Sequence, residues 1–177
     1  MVRLSFLAVV FLLCVVSSYA RTDVDVQAIC KQADNPSFCL TLLNSKPGGP
    51  GKNLVDLEAY IFGVLRNDLS NSVALLKKLI AQSGGDPKKE RYYKICLQYF
   101  GEEEGALGQI YVGLLQLKMG DYLGVNVHMS AILTFVNDCL TDEDAPPKDT
   151  SMFPKDADLV NQVAKIGLLI STILREK

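Results

Sequence analysis

Leu54, Leu57, Ile61, Leu65, Leu69, Ser72, Leu76 and Leu79 recur every three or four residues without interruption. That spacing lays one apolar stripe along one face of an α-helix about eight turns long, from Asn53, a plausible N-cap, to about Gln82. A helix that is apolar on one face must bury it, and a face this long requires partners of similar length. Three later segments supply them. Asp86-Pro87 pairs an N-cap with proline at the first helical position and opens a second helix that reaches Met119. Cys96, Leu97, Phe100, Leu107, Tyr111, Leu114 and Leu115 face inward on its simplest wheel. Gly120 ends it, and Asp121 caps a third helix running to about Thr141, with Leu123, Val127, Ala131, Ile132, Phe135 and Val136 as its apolar set. A fourth spans roughly Asp156 to Arg175, striped by Leu159, Val163, Ile166, Leu169, Ile170 and Ile173. The expected fold is all-α, an up-down-up-down four-helix bundle over residues 53–177.

The bundle has a preface. Arg3, the apolar run Leu4 to Val16, and Ser18-Tyr19-Ala20 make residues 1–20 a secretory signal peptide, with 13 apolar-run residues against the ~20 of a membrane span. Residues 21–52 hold two short helices, broken at Asn35-Pro36-Ser37, and a linker of glycine and proline from Lys46 to Gly51. Thr141 to Pro154, with Pro146-Pro147, reads as an exposed loop.

Removing the leader takes Cys14 with it and leaves four cysteines, an even number suited to two disulfides in a secreted chain. Of three possible pairings, spacing favours Cys30–Cys39 across the N-terminal hairpin and therefore Cys96–Cys139. The second bridge conflicts with regular helices. Cys96 lies 24 residues before Gly120 and Cys139 lies 19 after it. At about 1.5 Å per residue these arms measure roughly 36 and 28 Å, whereas bridged Cα atoms lie within about 7 Å. The second helix is therefore expected to kink, bulge or unwind, first at Gly101 and Gly105 and otherwise near Gly113.

Without Arg3 the chain keeps 17 Lys and Arg residues against 20 Asp and Glu, a net charge near −3 that offers no footprint for nucleic acid or anionic membrane. No second long apolar stretch free of charges is evident, so no membrane span is expected. The single histidine, His128, sits mid-helix and reads as a surface or packing residue; there is no nucleophile elbow, phosphate loop or metal-ligand spacing, so neither an enzyme nor a cofactor is expected. Glu102-Glu103-Glu104 reads as a solvated helix face or an acidic docking patch. Tyr92, Tyr93, Tyr99 and Phe100 read as packing around Cys96.

Asn35-Pro36-Ser37-Phe38-Cys39-Leu40, nine residues on from Cys30, resembles the N-terminal hairpin of the plant pectin methylesterase inhibitor/invertase inhibitor family. Cys96-Leu97 with Tyr99-Phe100 resembles the family's third-cysteine helix. Gly120-Asp121-Tyr122, Asn126, Met129-Ser130-Ala131 and Cys139 resemble its third bundle helix. The resemblance implies a secreted cell-wall protein, monomeric when free, that blocks the substrate cleft of a carbohydrate enzyme in a reversible one-to-one complex. Invertase inhibitors of the family tend to carry Pro-Lys-Phe after the Gly-Asp of this junction. Here Tyr122-Leu123-Gly124 follows, closer to the pectin methylesterase side, with acid invertase as the alternative target. A helical ligand carrier is the reading outside inhibition. Carried over residue by residue, the docking positions are Gln98, Glu102, Asp121, Tyr122 and Asn126.

Overall fold

The computed structural model describes residues 24–51 and 53–176; the proposed leader lies outside them. Seven helices follow one another: α1 Val26–Cys30, α2 Pro36–Asn44, α3 Leu54–Gln82, α4 Pro87–Phe100, α5 Ala106–Met119, α6 Tyr122–Leu140 and α7 Phe153–Arg175. There is no strand among the described residues.

Helix starts follow the capping residues. Asn35, Asn53, Asp86 and Asp121 each accept a backbone N–H three residues on, at 3.2, 2.7, 3.0 and 2.9 Å, and Pro36 and Pro87 occupy the first helical position. Gly120, at φ 75°, ends α5; its N–H and that of Asp121 donate to the Leu117 and Gln116 carbonyls at 3.2 and 3.0 Å. A side chain at this left-handed position would be strained, so glycine fixes the turn into α6.

Leu57, Ile61, Leu65, Leu69 and Leu76 of α3 are fully buried, each contributing about 1.5–3 kcal/mol of apolar transfer. Helices α4 and α5 together form the second arm of the bundle; α7 packs on α3 and α6, and α6 also packs on α4 and α5. Two glycines let helices approach closely. A Cβ on Gly113 would stand 2.5 Å from Phe62 Cζ, and one on Gly167 2.6 Å from Met129 Cε. The Cys30–Cys39 bridge, with Cα atoms 5.4 Å apart, staples α1 to α2. Lys165–Asp34 (2.8 Å) and Asn35–Gln162 (3.2 Å) tie this hairpin to α7.

The second arm is broken where the register of the disulfide requires. Residues 101–105 leave the helix, and the Cα atoms of Cys96 and Cys139 stand 4.9 Å apart. Gly101 N–H donates to the Gln98 carbonyl at 3.2 Å, and Leu107 N–H to the Gly101 carbonyl at 3.1 Å. Gly105 leaves no free space for a side chain: a Cβ there would lie 2.5 Å from the Gln98 carbonyl oxygen and 2.6 Å from that of Tyr99.

The break corrects several expectations. Glu102–Glu104 stand in an exposed loop, not on a helix face. The interruption turns the apolar stripe of α5 by about one residue, so Ala106, Ile110, Gly113 and Leu117 face the core while Tyr111 and Leu115 are 76% and 47% exposed. On α6 the buried set is Val125, Met129, Ile132, Val136 and Cys139; Leu123 and Val127 are exposed. That helix is apolar nearly all round, and periodicity cannot select its face when every face qualifies. On α7, Val160 is buried and Leu159 exposed, and the helix begins at Phe153, three residues earlier than expected. By length and composition α6 and α7, with mean hydropathies of 1.2 and 1.4, are apolar enough to cross a membrane, although α6 carries Asp138 and α7 carries Asp158 and Lys165. Half of the apolar window of α7 is buried inside the bundle.

The loop between α6 and α7 is fastened to α4. Asp144, its side chain 7% exposed, takes Arg91 and, at 3.8 Å, Lys88, and the Tyr93 hydroxyl donates to Asp149 at 2.9 Å. Burial above all pushes Tyr92 and Tyr93 up to about 12, so both stay neutral hydroxyls at physiological pH.

Candidate docking surface

Because α4 stops at Phe100, the polypeptide turns outward at the disulfide end of the bundle and opens a groove of about 730 Å³. Its floor is apolar, with Leu97, Leu107 and the Tyr99–Phe135 pair, whose rings are 6.1 Å apart. Its rim is Gln98 and the three exposed carboxylates of Glu102, Glu103 and Glu104, with Lys77 reaching in from α3. None of the three glutamates makes an ion pair among the described residues. An apolar aromatic floor with an acidic rim suits a protein partner carrying basic groups around an apolar projection.

The structure brings Gln98 and Glu102 together here and separates them from the other three positions. Asp121 and Tyr122 lie at the far end of α5, 14 residues or about 21 Å away along the bundle, and Asn126 lies on α6 about one turn back from that end. Asp121 is exposed, and its carboxylate accepts the Gly124 N–H as the cap of α6. Asn126 turns toward α7, where its Nδ2 donates to the hydroxyls of Ser171 and Thr172, both at 3.0 Å. Tyr122 is half-buried. Tyr92 and Phe100 pack with Phe153 and the ring of Tyr93 in the core, whereas Tyr99 is part of the groove. His128 packs half-buried against α5, its Nδ1 2.7 Å from Gln109 Oε1.

Two features were not anticipated from the sequence. A groove of about 650 Å³ runs between the N-terminal hairpin and the bundle, floored by Phe38, Leu133, Ile166 and Leu169. Its signal was present in Phe38 and the surplus apolar positions of α6 and α7, but their meeting depends on how the hairpin is laid down. The other is Glu58, fully buried on α3 with neither carboxylate oxygen hydrogen-bonded; burial holds it well above the ordinary carboxylate range.

Comparisons agree with this architecture over nearly its whole length. Residues 24–170 match the family described as plant invertase/pectin methylesterase inhibitor. The chain is 32% identical to pectinesterase inhibitor 1 of Arabidopsis thaliana over 94% of its own length and 92% of that protein. It is 27% identical to the pectinesterase inhibitor of Actinidia deliciosa, over 84% of this chain and 78% of that one. In structure it is similar to a crystallised mutant form of a pectin methylesterase inhibitor from Arabidopsis, with a TM-score of 0.74 and 27% identity over 84% of this chain and 96% of that one. With the fold, the two bridges and the sequence all pointing the same way, the chain belongs to the plant invertase/pectin methylesterase inhibitor family.

Proposed function

We propose that this protein is a secreted inhibitor of pectin methylesterase rather than an enzyme, acting in the cell wall by covering the esterase's substrate cleft in a reversible one-to-one complex. The observation that carries this reading is the likeness, over 94% of the chain, to a protein named a pectinesterase inhibitor. The open groove at the α4–α5 break supports it with chemistry: unpaired carboxylates at Glu102–Glu104 and a half-exposed aromatic pair form a surface that can bind without any reacting group. Gln98 and Glu102 contact the enzyme from this end. Asp121 and Tyr122 reach it only if the complex extends along the whole of α5. Asn126 supports the surface from behind.

The test is titration of the oxidised protein into a purified plant pectin methylesterase and, in parallel, an acid invertase at mildly acidic pH. Stoichiometric loss of esterase activity alone is the expected result. Loss of invertase activity alone would move the target to invertase, and no loss with either enzyme would remove the inhibitor reading.

A further inference from the structure

The seven exposed large apolar side chains among the described residues are not scattered. Five of them, Tyr111, Leu115, Met119, Leu123 and Val127, lie on α5 and α6. Each helix spaces its members by four, so each presents one stripe on the solvent side, away from the buried sets of Ile110, Gly113 and Leu117 or Val125, Met129 and Ile132. Only 28% of the apolar window of α6 is buried. Between Gly105 and Asn137 the only Lys, Arg, Asp or Glu residues are Lys118 and Asp121, opposite in sign and on either side of the Gly120 turn. Lys118 makes no ion pair among the described residues.

We propose that this face pairs with the same face of a second copy of the chain, about a two-fold axis running along the groove between α5 and α6. The relative level of the two helices carries the inference. The Cβ position of Gly113 lies 3.4 Å from His128 Cβ, and that of Gly124 lies 3.0 Å from Gln116 Cγ. Residue 113 is therefore level with 128, and 116 with 124. On that register, descending from the turn, the levels alternate Met119, Leu123, Leu115, Val127, while Tyr111, two positions from both Gln109 and Gly113, which touch His128, lies at the outer edge of the face. A two-fold axis along the groove lays α5 of one copy over α6 of the other at the same levels. Each of the alternating side chains then enters a gap in the opposing stripe instead of meeting its own counterpart. The same operation sets Lys118 of one copy near Asp121 of the other, twice over, as a self-complementary interface requires. A face with a large single-sign charge could not pair with itself in this way.

The stripe spans about 12 Å from Tyr111 to Met119, across helices about 10 Å apart. That is smaller than the ~800 Å² per partner of a stable complex, so the pairing is weak and concentration-dependent. The protein is a free monomer when dilute. The groove at Glu102–Glu104 lies at the other end of α5 and stays open in the pair.

Sedimentation velocity of the oxidised protein from micromolar to near-millimolar concentration tests the proposal. The expected result is a shift from monomer to dimer, lost in Leu115→Glu and in Val127→Glu, whose exposed positions leave the core and the melting temperature unchanged. Lys118→Asp and Asp121→Lys each weaken dimerisation, and the double exchange restores it. Restoration separates the pairing from a cap defect, because the double variant still lacks the Asp121 cap. A wild type that stays monomeric throughout overturns the proposal, as does a dimer indifferent to Leu115→Glu. Monomeric wild type with loss of esterase inhibition in Leu115→Glu would give the face to the enzyme and likewise overturn self-pairing.

Discussion

Cys96 and Cys139 hold their Cα atoms 4.9 Å apart, although 24 residues separate one from the Gly120 turn and 19 the other. The excess of five residues appears as the five non-helical positions 101–105. One covalent constraint therefore sets both the length of α4 and the site of the only groove rimmed by three glutamates among the described residues. Removing the bridge with Cys96→Ala/Cys139→Ala frees a loop of 43 residues in the unfolded chain. The expected loss is about 4 kcal/mol, read by urea denaturation, with the Cys30–Cys39 bridge left in place.

Gly105 is required by space and not by a left-handed backbone, since its φ is −95°. Gly105→Ala pushes a methyl against two carbonyl oxygens of α4. The expected cost is about 1–3 kcal/mol, and hydrogen exchange should show faster opening at residues 101–107. Gly84→Ala, where nothing lies within 4 Å, is the control and should be close to neutral.

Glu58 gives the fold a pH dependence whose sign follows from linkage. Its carboxyl in the folded protein titrates well above the ordinary 4.5, because burial disfavours the charge. The folded state thus holds a proton that the unfolded state releases, and stability falls as pH rises above about 4.5. Asp68, raised by burial and by Asp156, acts in the same direction. Glu58→Gln should melt at a higher temperature than the wild type at neutral pH. The difference should shrink to near zero below pH 4.5, where both side chains are neutral. Melting curves at a series of pH values check this; equal pH slopes for the two proteins would exclude it.

Asp144 is buried in the α6–α7 loop and depends on Arg91 and Lys88. Arg91→Ala leaves the carboxylate with one distant cation. Arg91 is itself largely exposed, so the expected loss is only about 1 kcal/mol. The clearer readout is faster hydrogen exchange over residues 142–151.

Glu102→Ala removes one unpaired carboxylate from the rim of the groove. Inhibition of pectin methylesterase should weaken about tenfold, or ~1.4 kcal/mol, mainly through slower association and with a reduced dependence on salt. Asp121 is about 21 Å away, so a single enzyme contacting both should give additive losses in the double variant. An Asp121→Ala effect on stability but none on inhibition would confine docking to the α4–α5 end.

The helices, their caps and the favoured pairing of cysteines were legible in the sequence, because these depend on interactions within a few residues or on chain length. Asn53, Asp86, Asp121 and Gly120 act where they stand, and the arithmetic from Cys96 through Gly120 to Cys139 was enough to demand a break in the second helix, with Gly101 and Gly105 the first of two candidate places. The α3 stripe was legible for the same reason: one clear face, one periodicity. The tertiary structure alone decided which face of α5 and α6 turns inward. The break resets the phase of α5, and α6 is apolar on too many sides for its own pattern to choose, so the packing of α3, α4 and α7 made the choice. It also decided which of the five docking positions share a surface, because residues four apart on a wheel are neighbours by geometry, whereas Glu102 and Asp121 are kept apart by the full length of a helix.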